Sequence, residues 1–251
     1  MRILSITGLI VAAVLPGSAQ VCNPRKFQGA YGFQLSGSTT ISGTKKPVAS
    51  MGRLEFDGQG AVSGTSSVNF SGFLLGNPVT GTYEVRSNCA ITWNLQDDSG
   101  GWQHFSGTLS PDLEHGTFQQ TDPGGAQRGT LAKTAPVCSE SAIRGTYDFS
   151  MSGSTIAMSP GQSAGNVSME GILAADGAGN LARLDRGAAT PVGTLTVDSE
   201  CIVNIDLTPS GEPEMKLRGV LVNGGREILA IETDPGAAVN ARLRAHPRES
   251  R

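Results

Sequence analysis

The chain predicts an all-β fold: two tandem small antiparallel up-and-down barrels of about eight strands each, behind an N-terminal signal peptide. Three observations predict it. The corner "TDPG" occurs at Thr121–Gly124 and returns at Thr233–Gly236. A series of other motifs repeats in the same order around it. Within each copy, apolar residues alternate with polar ones at the period of a half-buried strand.

The elements follow in chain order. Arg2 gives a positive start, "LIVAAVL" (Leu9–Leu15) is an apolar core, and Gly17 and Ala19 suit the positions before a cleavage at Gln20. The run is too short to span a bilayer, which takes roughly 20 apolar residues. "AQV" before Cys22 lacks the small residue a lipobox places beside its cysteine. Residues 1–19 therefore read as a cleaved signal peptide, which implies a secreted or periplasmic product. The rest divides into a first barrel domain at 20–134, a second at 135–245 and a polar tail at 246–251.

The division rests on duplication. "GAYGFQLSGST" (Gly29–Thr39) and "GTYDFSMSGST" (Gly145–Thr155) each begin seven residues after a cysteine. Next come "FDGQG" (Phe56–Gly60) and "ADGAG" (Ala175–Gly179), then "GTYEVRSNC" ending at Cys89 and "GTLTVDSEC" ending at Cys201. Gly107 and Gly219 lie 18 residues past those cysteines, and the two "TDPG" corners begin 32 past them. That period is far longer than a solenoid repeat, so each copy is a domain of its own. In the first copy, strands are expected near 30–38, 50–57, 60–70, 79–87, 89–96, 102–109, 115–121 and 127–133. Tyr31, Phe33 and Leu35 alternate with polar or small neighbours, as do Ile91, Trp93 and Leu95. Between them stand "DG", "SGG", "SPD" and "DPG", in which proline presets φ and glycine takes the positive φ that follows.

A sandwich and a barrel both accommodate eight short strands, and the cysteines favour the barrel. In an up-and-down ring, Cys22 before strand 1 and Cys89 between strands 4 and 5 fall at the same end. A lead-in peptide crossing that base would join them, so the expected pairs are Cys22–Cys89 and Cys138–Cys201. Export supplies the oxidising compartment.

Cysteine followed by "GTY.F..SGS", "DG.G", "GTY.V...C" and a terminal "TDPG....L" resembles a group of secreted bacterial proteins over nearly all of residues 22–245. Their domains are similar to the small barrel of the allene oxide cyclase and calycin type. The resemblance implies a fold; some barrels of that type isomerise or carry hydrophobic molecules. None of their active-site residues has a counterpart here, so no catalytic residue is assigned.

Composition narrows the function. Net charge is −3, and no basic run exceeds Lys45–Lys46, which excludes a nucleic-acid face. No "GxSxG" elbow, phosphate-binding glycine loop or cofactor motif occurs. Asp57 and Asp176 read as turn residues, since "DGQG" offers too few oxygens for calcium. Tyr31 and Tyr147 read as core. Asp112, Glu114, His115 and His104 would meet only if a hairpin between strands 6 and 7 gathered them, and the second copy has Asn223, Gly225, Glu227 and Lys216 instead. No metal site is therefore expected. "NFS" (Asn69–Ser71) and "NVS" (Asn166–Ser168) match the glycosylation sequon.

One asymmetry bears on binding. Both tryptophans and seven of eight phenylalanines precede the linker. Strand parity points Trp93, Tyr83, Phe105, Phe118 and Phe33 inward. They either fill the lumen or line a site for one small hydrophobic ligand. Such a ligand would enter opposite the disulfide end, near Lys45, Lys46, Asp98 and Trp102. The leading expectation is a non-enzymatic exported protein that binds or builds, its partner a protein or a small hydrophobic molecule. The alternative is a first barrel that binds or isomerises such a molecule.

Overall fold

In a computed structural model, residues 21–158, 163–208 and 214–247 are described; the expected signal peptide and the end of the polar tail lie outside them. Among the described residues, no helix is long and apolar enough to cross a membrane.

Among the described residues, sixteen strands form two closed barrels, each a meander in which every strand pairs with its sequence neighbour. The first comprises β1 (Gly29–Ile41), β2 (Thr44–Phe56), β3 (Ala61–Phe70), β4 (Phe73–Val85), β5 (Ala90–Asp97), β6 (Trp102–Leu109), β7 (His115–Gln120) and β8 (Gly125–Lys133). β1 closes on β8 from Tyr31↔Lys133 to Thr39↔Gly125. The second comprises β9 (Arg144–Thr155), β10 (Gly165–Asp176), β11 (Asn180–Asp185), β12 (Ala188–Val197), β13 (Ile202–Leu207), β14 (Met215–Val222), β15 (Glu227–Glu232) and β16 (Ala237–Ala245), with β16 closing on β9.

Two strands start earlier than the turn chemistry predicts. β2 begins at Thr44 rather than near 50, and β4 at Phe73 rather than near 79. The added stretch of β2 forms a two-stranded ribbon with β1 beyond the ring, whereas that of β4 runs past β5 as a free edge along β3, which β2 backs over the same length. Pro47 pairs with Ser38, while the β2–β3 ladder starts only at Val48. Pro78 pairs with Thr65, and the β4–β5 ladder starts at Val79. A proline is tolerated where its strand has one neighbour, because no ladder needs the missing N–H.

The base of each ring is closed as the cysteine spacing predicts. Cys22–Cys89 and Cys138–Cys201 are disulfides, with Cα separations of 5.1 and 4.8 Å. Cys89 and Cys201 share a left-handed backbone, at φ 67° and 65°. After Cys22 a 3₁₀ turn at Pro24–Lys26, capped by the Asn23 side chain, drops Phe27 into the lumen with no exposure. Ile143 does the same after the turn at Glu140–Ala142.

The barrels also pack side against side. The outer faces of β1, β2 and β8 supply Gly32, Gln34, Ala49, Met51 and Ala132; those of β14 and β15 supply Val220, Val222, Leu229 and Ile231. Approach is close enough that a Cβ on Gly32 would lie 2.5 Å from a Val220 methyl. The buried Gln34 amide donates to the carbonyls of Ala230 and Ala241, at 2.5 and 2.8 Å. The Asn69 amide donates to Asp234 O at 3.3 Å, and the Gly236 N–H donates to Gly72 O at 2.9 Å.

Candidate functional site

The twin corners do the same work in each barrel. The Thr121 and Thr233 amides donate to His104 O and Lys216 O, while Asp122 and Asp234 carboxylates accept the His104 and Lys216 amides at 2.8 Å. The corner thus ties the end of one strand to the start of the preceding one. Asp57 and Asp176 each accept two backbone amides across their turns, those of Gln59 and Ala61 and of Ala178 and Asn180. Hydrogen bonding from Gln59 leads in holding the Asp57 carboxyl below its usual range, and the Asn180 side chain leads for Asp176. Tyr31 is buried and donates to Leu113 O at 2.8 Å; burial pushes its pKa up. The Thr-Asp corners, the turn aspartates and the Tyr31 hydroxyl are therefore committed to scaffolding.

The imagined histidine cluster does not assemble. β6 runs from mouth to base and β7 returns, so His104 and His115 sit at opposite ends. The His104 ring meets Asp122 at 2.7 Å, whereas Asp112, Glu114 and His115 stay at the basal turn. Burial opposes the charge on Asp122, yet hydrogen bonds from the His104 amide and ring and from Gln120 keep its pKa low. The Ser110 hydroxyl lowers that of Asp112. His246 pairs with Asp148 at 2.6 Å. Among the described residues, no group of histidine, cysteine and carboxylate side chains could hold a metal.

The first lumen holds two ring clusters. At the base, Phe27 stacks among Tyr31, Phe56 and Tyr83 with centroids 4.7–5.6 Å apart. The half-buried Tyr83 hydroxyl donates to Phe27 O at 3.2 Å, and desolvation raises its pKa. Higher up, Trp93 stacks on Phe105 at 5.3 Å and meets Phe118 edge-on at 4.7 Å, with Phe33 6.4 Å from Phe118. Trp93, Phe105 and Phe118 are buried. Above them remains a space of about 40 Å³ lined by Phe33, Leu35, Val79, Leu95, Asp97 and Phe105. The Asp97 carboxyl is held by Ser99 and the Gly101 amide. Of the inward candidates, Trp93, Phe105 and Phe118 come together with Phe33 beside them, and Tyr83 belongs to the basal group; Trp102, expected at the mouth, stands apart. On β6 the inward residues are odd-numbered, so Trp102 lies on the outer face, 52% exposed.

Two features escaped the sequence. The tip of the β3–β4 ribbon exposes Phe73, Leu74 and Leu75 by 62, 43 and 48%. The second lumen, poor in rings, contains a cavity of about 140 Å³ lined by Phe149, Met169, Leu173, Val192, Leu207 and Met215. Glu232 also faces that lumen; burial, with Asp234 nearby, pushes its pKa up to about 7. The run "FLLG" held the first signal; the second needs the register.

No family model matches the chain, and no curated protein does. Among solved structures, the chain is similar to the isotype 1 transferrin binding protein B from serogroup B Neisseria meningitidis, with 7% identity and a TM-score of 0.34. That match covers 86% of this chain and 75% of the other. It is similar as well to intact Ap-TbpB with its N and C lobes, at 7% identity and a TM-score of 0.28, covering 86% and 76%.

Proposed function

We propose that the chain is an exported, non-enzymatic binding module whose first barrel presents the β3–β4 ribbon to a protein partner. The observation that carries this is the run Phe73–Leu75. Three consecutive large apolar residues on a strand point to both faces of the ribbon, and all three are exposed. Apolar surface of that kind favours association. Two disulfides support an extracytoplasmic setting, periplasmic or secreted. The aspartates and tyrosines common to both copies are engaged in turns and core, which leaves no shared acid–base pair for a reaction. The other reading, a first barrel that binds or isomerises a small hydrophobic molecule in the manner of an allene oxide cyclase or lipocalin, has less support. The space over its rings is about 40 Å³, far below the several hundred a small-molecule site occupies.

The test is photo-crosslinking of the exported protein in its own cells, with a benzophenone side chain at position 74. The expected result is a discrete adduct with another protein that Phe73→Ser and Leu75→Ser abolish. Labelling no stronger than from exposed Glu200 at the base refutes the reading.

A further inference from the structure

The two copies differ most where one strand parts from its neighbour. β2 and β3 pair without interruption from Val48↔Phe70 to Phe56↔Val62. Their counterparts β10 and β11 pair only from Leu173↔Arg183 to Ala175↔Leu181. The cause is length. The β3–β4 ribbon has strands of 10 and 13 residues, whereas β11 and β12 have 6 and 10, with a bulge at Leu181/Ala182. β10 itself remains 12 residues long. Among the described residues, its stretch Gly165–Ile172 is therefore paired on the β9 side alone.

A glycine in each copy gives an internal control. Gly52 and Gly171 both face the lumen, each five residues before the turn aspartate. A Cβ on Gly52 would lie 2.3 Å from Thr65 O on β3 and 2.5 Å from the Phe33 ring. A Cβ on Gly171 would meet nothing within 4 Å. The wall beside Gly171 is thus open, and through it lies the 140 Å³ cavity, with Glu170, Ile172 and Arg183 at its rim.

Size decides what fits. Sites for drug-sized molecules run to roughly 300–1,000 Å³, while an apolar cavity of about 150 Å³ takes one benzene. The space suits a single side chain. Beside it, an eight-residue strand edge carries unpaired N–H and C=O groups with no proline or lysine to block addition. Glu170 and Arg183 are exposed and have no ion-pair partner among the described residues.

We propose that the slit between β10 and β11 is a strand-addition site for an extended peptide of a partner protein. The peptide pairs antiparallel to Gly165–Ile172 and inserts one leucine- or phenylalanine-sized side chain beside Gly171. In that register, the residue after the anchor faces Glu170 and is basic, and the residue before it faces Ile172. The peptide then leaves the ladder, because Arg183 already pairs with Leu173, and an acidic residue at that exit meets the Arg183 side chain. Backbone pairing supplies affinity and the cavity supplies selectivity. This site is independent of the Phe73–Leu75 ribbon.

The test is fluorescence anisotropy on the mature, oxidised protein with labelled TDTLKTT and its variants bearing methionine, phenylalanine, tryptophan or alanine at the fourth position. Saturable binding is expected for at least one large apolar anchor, weakened about tenfold or more by alanine and abolished by N-methylation of alternate backbone amides. Gly171→Leu fills the opening from within and should abolish binding while the urea midpoint stays the same or rises. Absence of saturable binding for every anchor overturns the proposal, as does binding that Gly171→Leu leaves intact.

Discussion

Gln34 is the sharpest test of how the two barrels are joined. It lies on the outer face of β1, is 8% exposed, and its amide spans two carbonyls on different strands of the second barrel. Each net hydrogen bond contributes about 1 kcal/mol, and truncation also leaves two carbonyls facing a void. Gln34→Ala should therefore cost about 2–4 kcal/mol. Gln34→Met, which keeps the volume and removes the donors, should recover the packing part and still cost about 2 kcal/mol. The chain provides its own probe, because both tryptophans belong to the first barrel. Urea unfolding followed by tryptophan fluorescence reports that barrel, while far-UV circular dichroism reports both. Wild type should show coincident transitions, as a shared buried interface requires. In Gln34→Ala the transition should move to lower urea or split. A change below about 0.5 kcal/mol by both probes, the level of an ordinary surface substitution, would refute the reasoning.

Two further outcomes follow from the second barrel. Glu232 titrates near 7 in the fold and at an ordinary carboxylate value when unfolded, so the folded state holds the extra proton between those limits. Its contribution is intact in acid below the unfolded value and is lost as pH rises through about 7; because solvent reaches the carboxyl, the loss should be about 1–2 kcal/mol rather than the full shift. Glu232→Gln, which copies Gln120 of the first barrel, should flatten the difference between urea midpoints at pH 5 and pH 8. Replacing Cys138 and Cys201 together by serine opens a loop of sequence separation 63 and should cost about 4 kcal/mol in chain entropy, read as a lower urea midpoint under oxidising conditions.

Alternation made the lumen legible. Tyr31, Phe33 and Leu35 on β1, and Ile91, Trp93 and Leu95 on β5, all face inward and are buried. The seam between barrels was harder to read, because it uses the outward parity. On the first barrel that face carries Gly32, Gln34 and Asn69, small or polar residues that resemble solvent positions until their partners are known. On the second it leaves a trace: Val220–Val222 and Ile228–Ile231 are apolar without alternation, the mark of strands covered on both faces. The height of the ribbons was hidden for another reason. Pro47 and Pro78 signal turns wherever strands are paired on both sides, and only the ladders show that these two have a neighbour on one side. Trp102, expected at the mouth, opens β6 at that end and faces outward by parity.

Duplication gives the molecule a built-in comparison. What both copies retain is the basal disulfide, the aspartate turn, the buried tyrosine and the Thr-Asp corner, each satisfying backbone groups or closing the ring. What differs is height and filling. The first copy keeps Trp93, Phe105 and Phe118 in its lumen and a tall ribbon at its rim; the second lacks those rings and shortens that ribbon. These losses are coupled by geometry. A short β11 uncovers two thirds of β10, and the missing rings leave the space behind it unfilled, so one opening joins a free strand edge to an apolar cavity. Each change alone would create only a defect, an edge prone to pairing or a void that costs stability. Together they form a place where an incoming strand mends both, which is why binding is sought in what the copies do not share.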